Sequence, residues 1–281
     1  MSLLGVDLGG TNIRVGLVEG DSLRRIESLP VVRSDNPVDV VGQISELIGR
    51  FAGDRPAGIG IGVPSVVDVE KGIVYDVQNI PSWKEVHLKE MLEKDFGIPV
   101  YVNNDANCFA VAEKYFGKGK KCRDMVGLIV GTGMGAGLII SGKLYAGRNC
   151  GAGEFGTVPF REHNYEYYCS GQFFTNLYHA SGEELASRAA RGDAAARKIY
   201  SEFGANLGEA LKLIMYTVDP EIIILGGSVS KSFELFREEM YKSISTFVYS
   251  KSADNLKVEV SELENAGILG AAALYYDQRN G

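Results

Sequence analysis

The chain is short of the residues that build metal scaffolds. It has one tryptophan, three histidines and four cysteines in 281 residues. Cys108, Cys122, Cys150 and Cys169 make no paired metal-ligand spacing, and nothing at the N-terminus reads as a secretory signal, so a reduced, cytoplasmic protein is expected. Asp7 interrupts the first apolar stretch, and no run approaches the roughly 20 residues that cross a bilayer. Positive charge is also scarce. A formal net charge of -7 argues against a broad nucleic-acid surface, since phosphate contacts need clustered Lys and Arg. The single basic run, Lys118 to Arg123, reads as a solvated loop, with weak steering of an anionic substrate as the alternative.

Glycine is what the chain has in excess. Its 35 glycines cluster in tight groups beside apolar runs, where a backbone must turn sharply or approach a ligand closely. At 45% hydrophobic and 23% charged, the rest is ordinary for a soluble globular protein. The length suits two modest domains or one large α/β unit, and either leaves room for a cleft.

Apolar runs flanking Gly9-Gly10-Thr11-Asn12 predict a β-hairpin over 3–18. Val40, Ile44, Leu47, Ile48 and Phe51 recur at helical spacing after Asp35-Asn36-Pro37, which predicts a helix over 38–51. A buried strand over 57–63, a helix over 83–96 and a strand over 99–103 follow, then a helix over 106–115. Residues 125–140 repeat the opening arrangement around Gly131-Thr132-Gly133. Two such hairpins suggest two similar half-domains facing each other, with a seam near Asp105. Helices are predicted over 182–191, 193–218 and 231–249. A strand over 221–225 runs into Gly226-Gly227-Ser228, and a small-residue helix begins near 269. Ligands of open α/β sheets bind beyond the carboxyl ends of such strands.

Several of these turns carry chemistry. In Asp7-Leu8-Gly9-Gly10-Thr11-Asn12 an acidic residue ends a strand, and the amides and Thr hydroxyl after it suit a polyphosphate and its magnesium. A plain hairpin turn that uses Gly and Asn for positive φ explains the same residues equally well. Gly131-Thr132-Gly133-Met134-Gly135 is open to both readings. It is not a dinucleotide fingerprint, because Ala136 to Ile140 continues as strand where that motif needs a helix. A Walker A lysine motif is missing as well. Asp105 follows Asn103-Asn104 at a strand end and precedes a helix, so taken alone it reads as a helix cap before it reads as a catalyst. Glu154 sits in the glycine-rich loop Gly151-Ala152-Gly153-Glu154-Phe155-Gly156, where a carboxylate can accept paired sugar hydroxyls. Asn79, in Gln78-Asn79-Ile80-Pro81-Ser82-Trp83, offers an amide of the same use, or a simple Asn/Pro loop.

Taken in order, these segments resemble the ROK family of bacterial sugar kinases and sugar-responsive repressors, over nearly the whole chain. The matching stretches are Asp7-Leu8-Gly9-Gly10-Thr11, Gly60-Ile61-Gly62-Val63-Pro64, Asn79-Ile80-Pro81-Ser82-Trp83, Asn104-Asp105-Ala106-Asn107, Gly142-Lys143-Leu144-Tyr145, Gly153-Glu154-Phe155-Gly156 and Asp219-Pro220-Glu221-Ile222-Ile223-Ile224-Leu225-Gly226-Gly227. The resemblance implies two α/β domains of the actin/hexokinase (ribonuclease H-like) type with a cleft between them. One would comprise 1–105 plus about 267–281, the other, helix-rich, 106–266. It implies ATP-dependent phosphorylation of a hexose, glucokinase-like and at the 6-hydroxyl. Asp105 would be the catalytic base, and Ser65, Asn79, Asn104, Glu154, Thr157 and Glu166 would line the sugar site. Gly9, Gly10, Thr11, Asn12, Gly131, Thr132 and Gly133 would hold the ATP phosphates, Gly227 and Ser228 would lie near adenosine, and Asp7 would act on magnesium through water. A homodimer is the expected assembly, with no nucleic-acid or membrane partner.

The chain also departs from its family. Thr157 stands where a histidine is usual, Ser65 replaces a common glycine after Pro64, and the cysteine-rich segment that binds structural zinc is missing. Only Phe160 to Tyr167 separates the glutamate loop from Tyr168-Cys169-Ser170-Gly171, an arrangement that reads as a deletion sparing Glu166. His163 and Cys169 are too few ligands for a tetrahedral zinc site, so no zinc is expected. These changes leave the sugar open, including an N-acetylated hexosamine such as N-acetylmannosamine or N-acetylglucosamine, and leave polyphosphate open as a donor. A sugar-sensing regulator without a DNA-binding domain is the alternative of another class. With a first strand expected from Leu3, no helix-turn-helix is expected ahead of it. A catalytically dead sugar-binding module would be expected to lose the base or the glycine turns, and both are present.

Overall fold

A computed structural model describes residues 1–279. Along the chain, the elements begin with strands β1 (Ser2–Leu8), β2 (Asn12–Glu19) and β3 (Ser22–Pro30), helix α1 (Pro37–Gly49) and strand β4 (Ile59–Val63). Short strands β5 (Val66–Asp68), β6 (Ile73–Tyr75) and β7 (Glu85–Val86) precede α2 (Leu88–Phe96), β8 (Val100–Asn104) and α3 (Asp105–Tyr115). Next are β9 (Met125–Val130), β10 (Met134–Ile140), β11 (Lys143–Leu144), β12 (Pro159–Phe160) and β13 (His163–Asn164). Helices α4 (Tyr165–Cys169), α5 (Gly171–Tyr178), α6 (Gly182–Ala190) and α7 (Ala194–Val218) lead to β14 (Ile222–Gly226). Then α8 (Phe233–Ile244), α9 (Ser250–Asn255), β15 (Lys257–Val260) and α10 (Ala266–Arg279) complete the order.

The chain divides into two compact units. The first holds Met1–Lys121, Lys143–Ala152 and the chain from Glu262 onward; the second holds Cys122–Gly142 and Gly153–Ser261. In the first unit the strands run in the order β3-β2-β1-β4-β8. The β1–β2 pair is antiparallel, and β4 and β8 add in parallel. The second unit repeats the progression: β9 and β10 are antiparallel, and β14 and β15 add in parallel next to β9. The central strands IGIGV and IIILG are buried at every residue, as expected of parallel strands covered on both faces.

Close backbone packing organises the first unit. A Cβ on Gly5 would stand 1.9 Å from the Ile268 carbonyl oxygen, and one on Gly60 would stand 1.7 Å from that of Ala271. One on Gly270 would stand 1.8 Å from the Cys108 carbonyl oxygen. Helix α10 therefore lies directly against β1, β4 and α3. For the same reason α3 belongs with the first unit, and the boundary falls beyond residue 105, after Lys121.

Four local expectations differ from the structure. Strand β3 escapes the pattern reading because it is an edge strand, SLRRIESLP, with no fully buried residue, and β15, also at a sheet edge, has only four residues and one of them buried. The helix predicted from Trp83 starts at Leu88. Trp83 instead anchors the preceding loop, fully buried, with its indole N–H donating to the Pro37 carbonyl at 3.0 Å. The helix predicted over 231–249 ends at Ile244, where Thr246 Oγ1 donates to the Ser243 carbonyl at 2.8 Å, and a separate α9 follows.

Because α10 has no space for side chains at these contacts, Gly60→Ala and Gly270→Ala should each destabilise the protein by about 1–3 kcal/mol or more in urea unfolding. Gly42, inside α1 with nothing within 4 Å of an added Cβ, provides the control. Gly42→Ala should be stabilising by about 0.5–1 kcal/mol.

Candidate active site

In the first unit the strand register puts the acidic and amide residues at one end of the sheet. Asp7 pairs with Gly62 on β4, and Gly62 pairs with Asn103 on β8, so all three stand in one row at the carboxyl ends of parallel strands. Across the hairpin Asp7 faces Arg14, whose guanidinium donates to Asp7 Oδ2 from Nη2 at 2.6 Å and from Nε at 3.3 Å. Arg14 Nη1 also reaches Asn265 Oδ1 at 3.1 Å. The sequence reading missed Arg14, yet the cross-strand partner of Asp7 around a short turn is a quantity that hairpin register supplies.

The turn after Asp7 is not explained by positive φ, which none of Gly9, Gly10, Thr11 or Asn12 adopts. Gly9 N–H donates to the Asn12 carbonyl at 2.9 Å. Gly10 is small for a different reason: a Cβ there would lie 2.8 Å from Asn79 Nδ2. Gly10, Thr11 and Asn79 share the wall of a cavity of about 710 Å³ with Arg33, Ser34 and Asp35. The plain hairpin reading accounts for neither the cavity nor the approach of Asn79.

Asp105 is the first residue of α3, but it does not cap it. Asn104 is the cap, its Oδ1 accepting from Asn107 N–H at 2.8 Å. The Asp105 carboxylate accepts from the adjacent Ala106 N–H at 2.8 Å and the residue is exposed. Its charge and that of Asp7 add to burial in pushing the Cys108 thiol well up. Beneath it lies a buried network: Asn103 Oδ1 accepts from Asn104 N–H and from Asn107 Nδ2, at 2.9 and 2.8 Å, while Asn107 Nδ2 also meets Cys150 Sγ. Sequence reasoning passed over Asn107 and Cys150. Ser65, just before β5, donates its hydroxyl to the Tyr75 carbonyl on β6.

In the second unit the glycine turn after β9 faces the loop after β14. Gly227 has φ +85°, and a Cβ there would lie 2.3 Å from the Val130 carbonyl oxygen, so this crossing requires glycine. Ser228 follows, its amide and hydroxyl 4.0 Å from where a Gly131 Cβ would be. Gly131, Thr132 and Ser228 line a cavity of about 430 Å³ together with Gln172, Tyr200 and Lys231.

Glu154 opens the short turn 155–157 beside β10. Gly153, at φ +94°, passes so close that a Cβ would lie 2.2 Å from the Ala136 carbonyl oxygen. Thr157 Oγ1 donates to the Glu154 carbonyl at 2.8 Å and so closes the loop. The Glu154 carboxyl is pushed above its ordinary range, first by burial and then by the charge of Glu166. Glu166 in turn accepts from Met134 N–H and from Gln172 Nε2, both at 2.9 Å.

Over the stretch where the family resemblance would put a zinc segment, aromatic rings pack. Phe160 stacks on Tyr165 at 4.4 Å and His163 on Tyr167 at 3.9 Å, while Tyr168 meets Phe160 and Tyr167 edge-on. The Arg161 guanidinium lies over Phe160 and Tyr168 at 5.1 and 5.4 Å. Such pairs add about 0.5–1.5 kcal/mol each beyond area burial. The residues do not fit a zinc ion: Cys169 is fully buried with its thiol pushed well up, which favours the protonated form that metals do not bind. Among the described residues no group of three or more His, Cys, Asp or Glu side chains is arranged to hold a metal. Magnesium asks less, because it keeps several waters and takes one or two carboxylates with substrate phosphates. Arg14 holds Oδ2 of Asp7, so an ion meeting this carboxylate would do so at Oδ1 or through water.

The two α/β units and their sheets match the two-domain actin/hexokinase-like fold of solved sugar kinases. One is a ROK family glucokinase from Streptomyces griseus in complex with glucose and AMPPNP, with TM-score 0.80 and 28% identity over 98% of this chain and 99% of that one. The ROK family model matches residues 3–278, and the chain belongs to that family. It is 30% identical to a glucokinase of Thermotoga maritima, covering 100% of this chain and 99% of the relative. It is 32% identical to an N-acetyl-D-glucosamine kinase of Vibrio parahaemolyticus, covering 96% and 98%.

If aromatic packing holds the 158–169 segment, chelation has nothing to remove. Overnight EDTA treatment followed by dialysis should leave the melting temperature unchanged, and metal analysis of the untreated protein should find less than one zinc per chain. A drop in melting temperature that zinc restores would contradict this reading.

Proposed function

We propose that this chain is an ATP-dependent sugar kinase acting on a hexose at its 6-hydroxyl, in the cytoplasm, with Asp105 as the base. The observation that carries the reading is the position of Asp105. It stands two residues past the Asp7–Gly62–Asn103 row, and the capping duty that explains most Asp residues at helix starts is performed by Asn104. The names of the relatives agree with this chemistry, since both glucokinases and N-acetyl-D-glucosamine kinases are among them.

In this reading Asp105 accepts the proton of the attacking hydroxyl. That oxygen forms a bond to the γ-phosphorus as the bond to the β-γ bridging oxygen breaks, and ADP leaves with the electron pair. The catalytic effect is mostly positioning and electrostatics, as in phosphoryl transfer generally. Gly10, Thr11, Thr132 and Gly133 present backbone and hydroxyl donors to the phosphates, Gly131 closes the turn through its N–H to the Gly133 carbonyl, and Gly227 and Ser228 border the nucleoside. The magnesium that accompanies ATP neutralises phosphate charge, and Asp7 would meet it through water. Asn79, Asn104 and Glu154 hold sugar hydroxyls. Thr157 in place of a family histidine leaves more room beside Glu154, which an N-acetyl group could use.

Asp105→Asn should lower the rate by about 10²–10⁴-fold in a coupled ADP-release assay while sugar binding survives. A variant of undiminished rate would refute the assignment. Glu154 gives a second test with a defined sign. Because its folded-state pKa lies above the unfolded value, the group costs stability at pH values above the raised one and nothing below roughly pH 4. Glu154→Gln should therefore raise the melting temperature at pH 7 to 8, lose that gain in acid, and raise the KM for sugar.

A further inference from the structure

The turn Gly131-Thr132-Gly133 has carbonyls that would repel a phosphate if they faced it. They are turned away by one neighbouring segment, 166–172. Gly171 N–H donates to the Gly131 carbonyl at 2.7 Å, and Ser170 Oγ donates to that of Thr132 at 3.1 Å. On the far side of the turn, Gly131 N–H is taken by the Gly133 carbonyl at 3.0 Å, and Met134 N–H by Glu166 Oε2 at 2.9 Å. The donors left to the turn are those of Thr132 and Gly133. Packing at this spot is tight: a Cβ on Gly133 would lie 2.6 Å from Glu166 Oε2, and one on Gly171 would lie 2.9 Å from the Gly131 carbonyl oxygen.

The other carboxylate oxygen of Glu166 accepts from Gln172 Nε2 at 2.9 Å, and Gln172 lines the same cavity as Gly131, Thr132 and Ser228. Gly156 of the Glu154 loop leans on the same group, since its added Cβ would come within 3.4 Å of Glu166 Cβ. Both Glu166 oxygens are thus engaged inside the unit, by the turn on one side and the cavity wall on the other.

We propose that Glu166 is a positioning residue for the nucleotide: its carboxylate spans Met134 N–H and Gln172, and so fixes the turn with the Thr132 and Gly133 amides presented to the donor phosphates. This rests on the kinase reading above. It differs from a sugar-contacting role in what it requires of the side chain, namely reach and two acceptor or donor groups rather than charge. A glutamine retains both, because its oxygen accepts from Met134 N–H and its amide nitrogen can donate to a reoriented Gln172. An aspartate keeps the charge but is one methylene too short to span both partners.

The test is calorimetric binding of magnesium AMPPNP to the full chain without sugar, for wild type, Glu166→Gln and Glu166→Asp, with melting curves to confirm that each is folded. Glu166→Gln should keep the affinity within about threefold. Glu166→Asp should weaken it by about tenfold, the scale on which an N–H left without its acceptor shows itself. Equal affinity of Glu166→Asp and wild type would overturn the proposal, as would a loss in Glu166→Gln as large as in Glu166→Asp. So would a rise in sugar KM with nucleotide affinity unmoved. A wild-type chain that neither binds AMPPNP nor releases ADP with any sugar would instead bring down the kinase reading itself.

Discussion

The direct contact of helix α10 with the first sheet is the constraint on which the first unit depends. Gly5, Gly60 and Gly270 let backbone meet backbone, so α10 presses on β1 and β4 while α3 presses on α10. That packing fixes two things together: the row Asp7–Gly62–Asn103 at the carboxyl ends of the strands, and the start of α3 just beyond it. Asp105 inherits its position from both. In the role proposed for it, Asp105 would have to meet a hydroxyl within hydrogen-bond reach, which tolerates little displacement, and its placement is set by main chain rather than by flexible side chains.

The second unit solves a different problem, the placement of two carboxylates, Glu154 and Glu166, close to one another. Glu154 carries an electrostatic cost, visible in the upward push on its carboxyl from burial and from Glu166. Glu166 offsets its own charge with two N–H donors. Arg14 does the corresponding service for Asp7 in the first unit. In the second unit Phe160 stacks on Tyr165 and His163 on Tyr167, Tyr168 meets Phe160 and Tyr167 edge-on, and Arg161 lies over Phe160 and Tyr168.

Much of this was legible from residue patterns. Gly/Asn clusters between apolar runs give both hairpins, and the continuous apolar runs of β4 and β14 mark buried parallel strands. The ordered glycine, Asn-Asp and Gly-Glu segments pointed to the family that the comparisons establish. What escaped depends on contacts distant in sequence. Trp83 looks helical by composition and becomes a loop anchor because Pro37 offers it a carbonyl. Asp105 looks like a cap until Asn104 is seen to take the Asn107 amide. Gly10 looks like a turn residue, and only the approach of Asn79 shows why a side chain is excluded there. Ser65 looks like a pocket residue, and its hydroxyl also donates to the Tyr75 carbonyl, a contact that no local pattern announces. Edge strand β3, with no buried face, leaves no periodic signal.

The central claim is that this chain carries out a phosphoryl transfer whose acceptor is a sugar hydroxyl and not water. The most direct measurement is ADP release by the wild-type chain with magnesium ATP, across a panel of hexoses and N-acetylhexosamines and without any sugar. ADP formation that depends on a sugar, with one sugar-phosphate formed per ADP, is the predicted result. ADP released at the same rate with and without every sugar, or no release at all, would contradict it.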